Sequence, residues 1–112
     1  MIASNRTRRA TLRTRQTANR AAARIRRHGV GTLATHAMAQ GLNHRDATSV
    51  AGTLRKVAAK LGILGTAGRV HAGRHMRNCL RYTRTQVAVI ALNYKARKPA
   101  YKIVAARLAL AA

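Results

Sequence analysis

Residues 46–64 read DATSVAGTLRKVAAKLGIL and contain the clearest periodicity in this sequence. Four large apolar side chains recur there at intervals of four, three and four residues, namely Val50, Leu54, Val57 and Leu61. This spacing places them on one side of an α-helix, so the stretch predicts an amphipathic helix over residues 47–61 that Gly62 ends. Asp46 lies just before it and is expected to be its N-cap.

The opposite face of this predicted helix is small and basic. At about 100° per residue, the side chains turned away from the apolar ones are those of Arg45, Thr48, Gly52, Arg55, Lys56 and Ala59. A glycine on an exposed helical face costs about 1 kcal/mol relative to alanine. Gly52 therefore argues against a face that only meets solvent, and favours one that another surface approaches closely.

Two further helical patterns precede this helix. Residues 11–28 predict a helix with core-facing Ala18, Ala21, Ala22 and Ile25, and residues 32–40 predict another with Leu33, Ala37 and Met38 on one side. Glycine ends both, at Gly29 and Gly41. Residues 1–10 are polar and basic with little to bury, so we expect a flexible basic arm without fixed structure.

Beyond Gly62 the sequence turns to glycine-containing loops and a β-strand pattern. In residues 76–84 the side chains alternate between Met76, Leu80 and Tyr82 on one side and Arg77, Arg81 and Thr83 on the other. This pattern predicts a half-buried strand with an arginine face, which forms a hairpin with the segment from Arg69. Residues 85–98 fit either a helix capped by Thr85 or a buried strand, and Pro99 marks the start of a last helix.

The order helix, helix, turn, helix, glycine-containing loop and arginine-faced strand is the plan of a winged helix-turn-helix. Residues 48–64 resemble the recognition helix and the start of the wing in winged-helix transcription regulators. The matching residues are Val50, Leu54, Arg55, Lys56, Val57, Leu61, Gly62 and Ile63, while Leu33, Ala34, Gly41 and Leu42 resemble the first helix and turn of that motif. The resemblance implies a mainly α fold with a small β-hairpin, and sequence-specific binding of double-stranded DNA in transcription regulation.

We therefore expect a flexible basic arm over residues 1–10 and a winged helix-turn-helix domain over residues 11–84. Residues 85–112 form a predicted C-terminal helical extension. Its last helix either mediates homodimerisation or closes the core of the monomer. Small regulators of this kind are frequent in phages and other mobile elements, so such an origin is a further expectation.

The charge balance restricts the function independently of the fold. Lys and Arg number 23 against a single acidic residue, Asp46, which gives a formal net charge of +22. Catalysis by a carboxylate pair or by two metal ions needs several acidic side chains, so we do not expect an enzyme. Self-repulsion on this scale calls for a polyanionic partner. Of the cations, 18 are Arg and 5 are Lys, and the arginine fork fits both phosphate and the edge of guanine.

The predicted contacts with DNA divide into three groups. Base readout is assigned to Arg45, Thr48, Ser49, Gly52 and Arg55, with the two arginines as the guanine contacts. Phosphate binding is assigned to Lys56, Lys60, Arg69, Arg74, Arg77 and Arg81. Arg6, Arg8, Arg9, Arg13 and Arg15 of the arm are expected to follow the duplex.

The sequence also allows partners other than double-stranded DNA. RNA is the main alternative, because residues 11–27 resemble in composition the arginine-rich RNA-binding peptides of phage antiterminators; a ribosome-associated or a DNA-packaging protein is the further alternative. No apolar run approaches the length of about 18 residues that spans a membrane, and no membrane partner is expected. His71, His75 and Cys79 have the spacing of metal ligands on a helix, but they lie in a basic, strand-like segment, so neither a metal nor another cofactor is expected. A single cysteine cannot form an internal disulfide, which indicates a reducing compartment, so we expect a cytoplasmic protein. Binding to DNA would associate it with the nucleoid.

Overall fold

The computed structural model describes residues 2–72 and 75–110, and this part of the chain is mainly helical with one small antiparallel hairpin. The elements are α1 (Ile2–His28), α2 (Leu33–Ala39), α3 (His44–Leu61), β1 (Thr66–Ala72), β2 (His75–Arg81), α4 (Arg84–Leu92) and α5 (Pro99–Leu110). The mainly α class with a hairpin after the third helix is confirmed.

One core joins the helices on both sides of the hairpin. Its largest fully buried side chains are Val50 and Leu54 of α3 and Val87 and Ile90 of α4. Helix α2 packs on both α1 and α3, and α4 packs on α5. The core includes Leu33 of α2 and Val104 and Leu108 of α5. Residues 85–112 were predicted as an extension, whereas α4 and α5 close the core of the monomer because their apolar faces complete it.

Helix α1 begins at Ile2 rather than at residue 11, so most of the predicted arm is helical. Nothing in residues 2–28 breaks a helix, and arginine and alanine are strong helix formers. The threonine hydroxyls donate hydrogen bonds to carbonyls one helical turn earlier. Thr11 Oγ1 donates to the Thr7 carbonyl at 2.9 Å, and Thr14 Oγ1 donates to the Ala10 carbonyl at 3.0 Å. The side chains of residues 5–16 are all exposed. Ala21 and Ile25 are buried, as the predicted helical face requires.

The cap of α3 differs from the prediction. Asn43, not Asp46, is the N-cap, and its Oδ1 accepts a hydrogen bond from the backbone N–H of Asp46 at 2.8 Å. Asparagine and aspartate are equally good caps, so local sequence does not choose between them. The helix consequently begins at His44, and Asp46 lies in its first turn, where the positive end of the helix dipole favours a carboxylate.

The segment after the hairpin is a helix and not a strand. Thr83, rather than Thr85, caps α4, and it forms a capping box with Gln86. The Gln86 backbone N–H donates to Thr83 Oγ1 at 3.2 Å, and the Thr83 backbone N–H donates to Gln86 Oε1 at 2.9 Å. This reciprocal pair decides for a helix in a stretch whose apolar pattern allowed both. Pro99 begins α5, as predicted.

The two strands contact mainly each other, in a register that pairs Thr66 with Arg81 and Ala72 with His75. The prediction of a half-buried strand is wrong for most of β2, because Met76 and Leu80 are 42% and 46% exposed. The hairpin projects from the helical core, so its apolar side has no helix to cover it. Tyr82, at the end of the pattern, is buried.

A backbone bridge ties the base of the hairpin to the helices. The Gly31 N–H donates to the Tyr82 carbonyl at 3.0 Å, and the Tyr82 N–H donates to the Gly31 carbonyl at 2.8 Å. Gly31, two residues before α2, thus pairs antiparallel with Tyr82, the residue after β2. Among the described residues, none of the helices is both long and apolar enough to cross a bilayer.

Candidate nucleic-acid interface

The packing of its inward face in the core fixes the orientation of α3 and therefore the direction of its outward face. Ala47, Val50, Ala51, Leu54 and Ala58 are buried in the core. The predicted base-reading side chains of Arg45, Thr48, Ser49 and Arg55 are exposed on the other side, and so are Lys56 and Lys60. A helix packed so closely along one face presents the other with little freedom to rotate, which is what a surface that reads a fixed pattern of donors and acceptors requires.

Gly52 lies in the middle of this outward face. A β-carbon built at this position would have no atom within 4 Å apart from the helix's own backbone, and the glycine does not have a positive φ angle. Neither packing nor backbone conformation therefore requires a glycine here. This supports the expectation that the missing side chain serves a partner rather than the fold.

The N-terminal end of α3 is fixed by the only acidic side chain. Asp46 Oδ1 accepts a hydrogen bond from the Tyr101 hydroxyl at 3.1 Å, which links α3 to α5. Thr48 Oγ1 donates to the His44 carbonyl at 2.8 Å, so the Thr48 hydroxyl oxygen is left to accept. Because Asp46 is the single acidic residue among 23 Lys and Arg, the basic groups of the face have almost no counter-charge within the protein.

Two of the predicted phosphate ligands brace the hairpin. Arg81 Nη2 donates to the Arg69 carbonyl at 3.1 Å, and Arg69 Nη2 donates to the Met76 carbonyl at 3.5 Å. Arg81 also lies over Gly68, where an added β-carbon would come within 3.1 Å of Arg81 Nε. Each guanidinium has five N–H donors, so both arginines keep donors for a phosphate. Arg74 and the Arg77 side chain lie outside the described residues.

His36 connects α2 to the base of the hairpin. It is 3% exposed, and its Nε2 lies 2.7 Å from the Tyr82 carbonyl oxygen. Since a carbonyl only accepts, this nitrogen must carry the proton and donate. Burial lowers the pKa of His36 below its ordinary value of 6.5, and the charge of Arg84 lowers it further, against the opposing effect of the carbonyl bond. The neutral ring is therefore part of the joint that orients the hairpin relative to α2.

Helix α1 carries more exposed arginines than the predicted arm contains. Arg6, Arg8, Arg9, Arg13 and Arg15 are exposed as expected. Arg20, Arg24, Arg26 and Arg27 are exposed too and were not among the predicted site residues. Their helical spacing was the available signal, and it becomes informative only when the whole of residues 2–28 is one helix.

The metal-ligand spacing does not correspond to a helical face. His71 and His75 lie on opposite strands of the hairpin, where they pair with Met76 and Ala72, and Cys79 pairs with Gly68. Cys79 is half-buried with a free thiol. The part of the chain that the structure describes contains no group of three potential metal ligands.

The described surface thus presents four basic regions, on α3, on the hairpin, on α1 and on the C-terminal segment, where Lys95, Arg97, Lys98, Lys102 and Arg107 are exposed. Comparisons of this chain with known protein families, with characterised proteins and with solved structures find no match.

Proposed function

We propose that this protein is a sequence-specific double-stranded DNA-binding regulator of transcription that uses a winged helix-turn-helix, with α3 as the recognition helix. The observation that carries the proposal is the outward face of α3. It combines Arg45, Thr48, Ser49 and Arg55, all exposed, with a glycine that the fold does not need.

The dimensions of the two partners support this placement. An α-helix with its side chains is about 10–12 Å across, and the major groove is about 12 Å wide, so one helix fits. Arg45 and Arg55 would each donate two hydrogen bonds to O6 and N7 of a guanine, the commonest specific contact in such complexes. At Gly52 the helix backbone could approach the floor of the groove, which brings the short Thr48 and Ser49 hydroxyls within reach of base edges.

The hairpin supplies the wing in this proposal. It is the next element after α3, and the bridge between Gly31 and Tyr82 fastens its base to the segment just before α2. Helix α2 packs on α3, so hairpin and recognition helix are attached to the same unit. Arg69 and Arg81 would contact phosphates beside the groove that α3 occupies, and Lys56 and Lys60 would contact the groove's own phosphates.

The decisive experiment selects preferred duplexes from a random pool and compares the affinity of the purified protein for the selected and a scrambled duplex. We expect a ratio of at least about 10³. Arg55→Ala should relax preference at one base pair at a cost of about 1–3 kcal/mol, while Lys60→Ala should weaken binding to all duplexes alike. Arg97→Ala, which removes an exposed charge from the loop between α4 and α5, is the matched control. A uniform loss in Arg55→Ala would contradict the placement of α3 in the groove.

RNA binding is the second candidate function, and the exposed arginines of α1 favour it. An RNA-binding protein should prefer structured RNA over the selected duplex at equal salt, whereas a DNA-packaging protein should show no preference among duplexes. The salt dependence measures how much charge is used in either case. Neutralisation of about 8 phosphates predicts a log–log slope near −7, and a slope shallower than about −3 would mean that most of the charge faces something else.

A further inference from the structure

Six of the arginines of α1 form a single row. Arg6, Arg9, Arg13, Arg20, Arg24 and Arg27 are all exposed, and at 3.6 residues per turn they fall within a sector of about 60° around the helix axis. From first to last the row runs for about 32 Å along the helix. We call these six side chains the arginine row.

The row faces away from the protein core. The buried or half-buried side chains that pack α1 on α2 are Ala18, Ala21, Ala22 and Ile25. The centre of this set lies about 140° around the axis from the centre of the row. Arg8, Arg15 and Arg26 occupy a different flank, also about 140° from the row. The helical conformation therefore divides the five arginines of the predicted arm into three within the row and two outside it.

We propose that the arginine row is a second DNA-binding surface, which holds the phosphate backbone of the duplex beyond the segment that α3 reads; the inference rests on the proposed function. Six permanent cations in a line match a linear polyanion and not a compact anionic ligand. The length of the row is close to one turn of B-DNA, which is about 34–36 Å. The row contains no aromatic side chain for stacking and no apolar one for insertion into lipid, so recognition is of charge and spacing alone.

The chain offers a matched pair of variants for the test. Arg6→Gln/Arg13→Gln removes two charges from the row, and Arg8→Gln/Arg15→Gln removes two charges from the flank at the same seven-residue spacing. All four side chains are exposed on the part of α1 without buried side chains, and glutamine has nearly the helix propensity of arginine. Circular dichroism should confirm equal helix content in both variants.

Binding is measured against salt concentration with two duplexes, one ending at the selected site and one extended by a helical turn on each side. For the extended duplex, the row variant should lower the magnitude of the log–log salt slope by about 1.8 and weaken binding about 30-fold at 0.15 M salt. The flank variant should change affinity less than threefold. Wild type should gain affinity from the extension, and the row variant should lose most of that gain.

Equal losses in the two variants would overturn the proposal, because total charge and not the row would then set affinity. Wild-type affinity in the row variant would overturn it as well, and so would a loss confined to structured RNA. A scrambled extended duplex separates this inference from the proposed function. If wild type shows no preference for the selected site, sequence-specific regulation fails, while the contrast between row and flank variants is still read on the scrambled duplex.

Discussion

Replacing Gly52 with alanine should make the protein more stable and a weaker DNA binder at the same time. The position is in the interior of α3, has no positive φ, and leaves the space of a β-carbon empty. Alanine is favoured over glycine in a helix interior by about 0.8–1.0 kcal/mol. An unfolding entropy of about 2.1 cal/mol/K per residue converts this gain into a rise in Tm of about 4 °C for a chain of this length.

The added methyl group has the opposite effect on the complex. It would lie at the centre of the outward face, where it keeps the backbone of α3 from the floor of the groove. Losing one good bidentate base contact costs about 1–3 kcal/mol, so we expect at least about a tenfold loss of affinity for the selected duplex. Affinity for a scrambled duplex, which depends on phosphates, should fall less.

Thr53→Ala is the control for this experiment. Thr53 is exposed on α3 next to Gly52, about 100° further around the helix, and its replacement also raises helix propensity. Calorimetry should show a higher Tm for both variants, and fluorescence anisotropy should show a binding defect only for Gly52→Ala. If Gly52→Ala is more stable and binds the selected duplex as wild type does, α3 does not approach DNA at this face. A lower Tm would refute the packing that leaves this space empty.

Three further predictions concern the fold that positions the site. Burial lowers the pKa of His36, so as the pH falls the unfolded chain takes up a proton at this histidine before the folded protein does. The free energy of unfolding is therefore highest at neutral pH and falls as the pH drops through 6.5. We expect a loss of at most about 1.4 kcal/mol between about pH 7.5 and 5.5. Urea titrations should show this loss to be smaller in His36→Gln, whose amide can still donate to Tyr82, and identical pH profiles would contradict a neutral buried ring. Gly65→Ala should cost about 1–3 kcal/mol, because the new methyl would lie 2.8 Å from the Arg81 carbonyl oxygen, and unchanged stability would refute this close approach. Leu54→Ala, at a side chain with no exposed area, should cost about 2–5 kcal/mol in the same assay, and a cost below about 1 kcal/mol would place it outside the core.

Local periodicity was sufficient to predict α3 and the side it buries, although Leu61, predicted on the apolar face, is 42% exposed and Val57 is only partly buried. The spacing of Val50 and Leu54 and the stop at Gly62 are all short-range signals, and the structure has each of them where the sequence indicates. The exposed positions of Arg45 and Arg55 follow from the same geometry, since a helix that buries one face must expose the other. The predicted base-reading residues therefore lie together without any long-range information.

The N-cap of α3 was not predictable in this way. Asn43 and Asp46 have equal capping propensity, and in the structure Asn43 caps the helix while the Asp46 carboxylate accepts from Tyr101, 55 residues along the chain. The exposure of Met76 and Leu80 could not be predicted from the sequence for a related reason. Alternation predicts a strand with two faces, but whether a helix covers one of them depends on where the hairpin is placed.

Hydrophobic period, glycine stops and charge are properties of neighbouring residues, so the helical class, the hairpin after the third helix and the basic face of α3 could be predicted from local patterns. Tertiary packing brings α4 and α5 into the same core, and local patterns could not predict this because burial is a property of elements packed together. Tertiary packing also decided that His36 meets Tyr82 across 46 residues at the base of the hairpin. Such contacts join segments that are far apart in the sequence, and the local pattern of one segment does not depend on the other. No local pattern could therefore have predicted them.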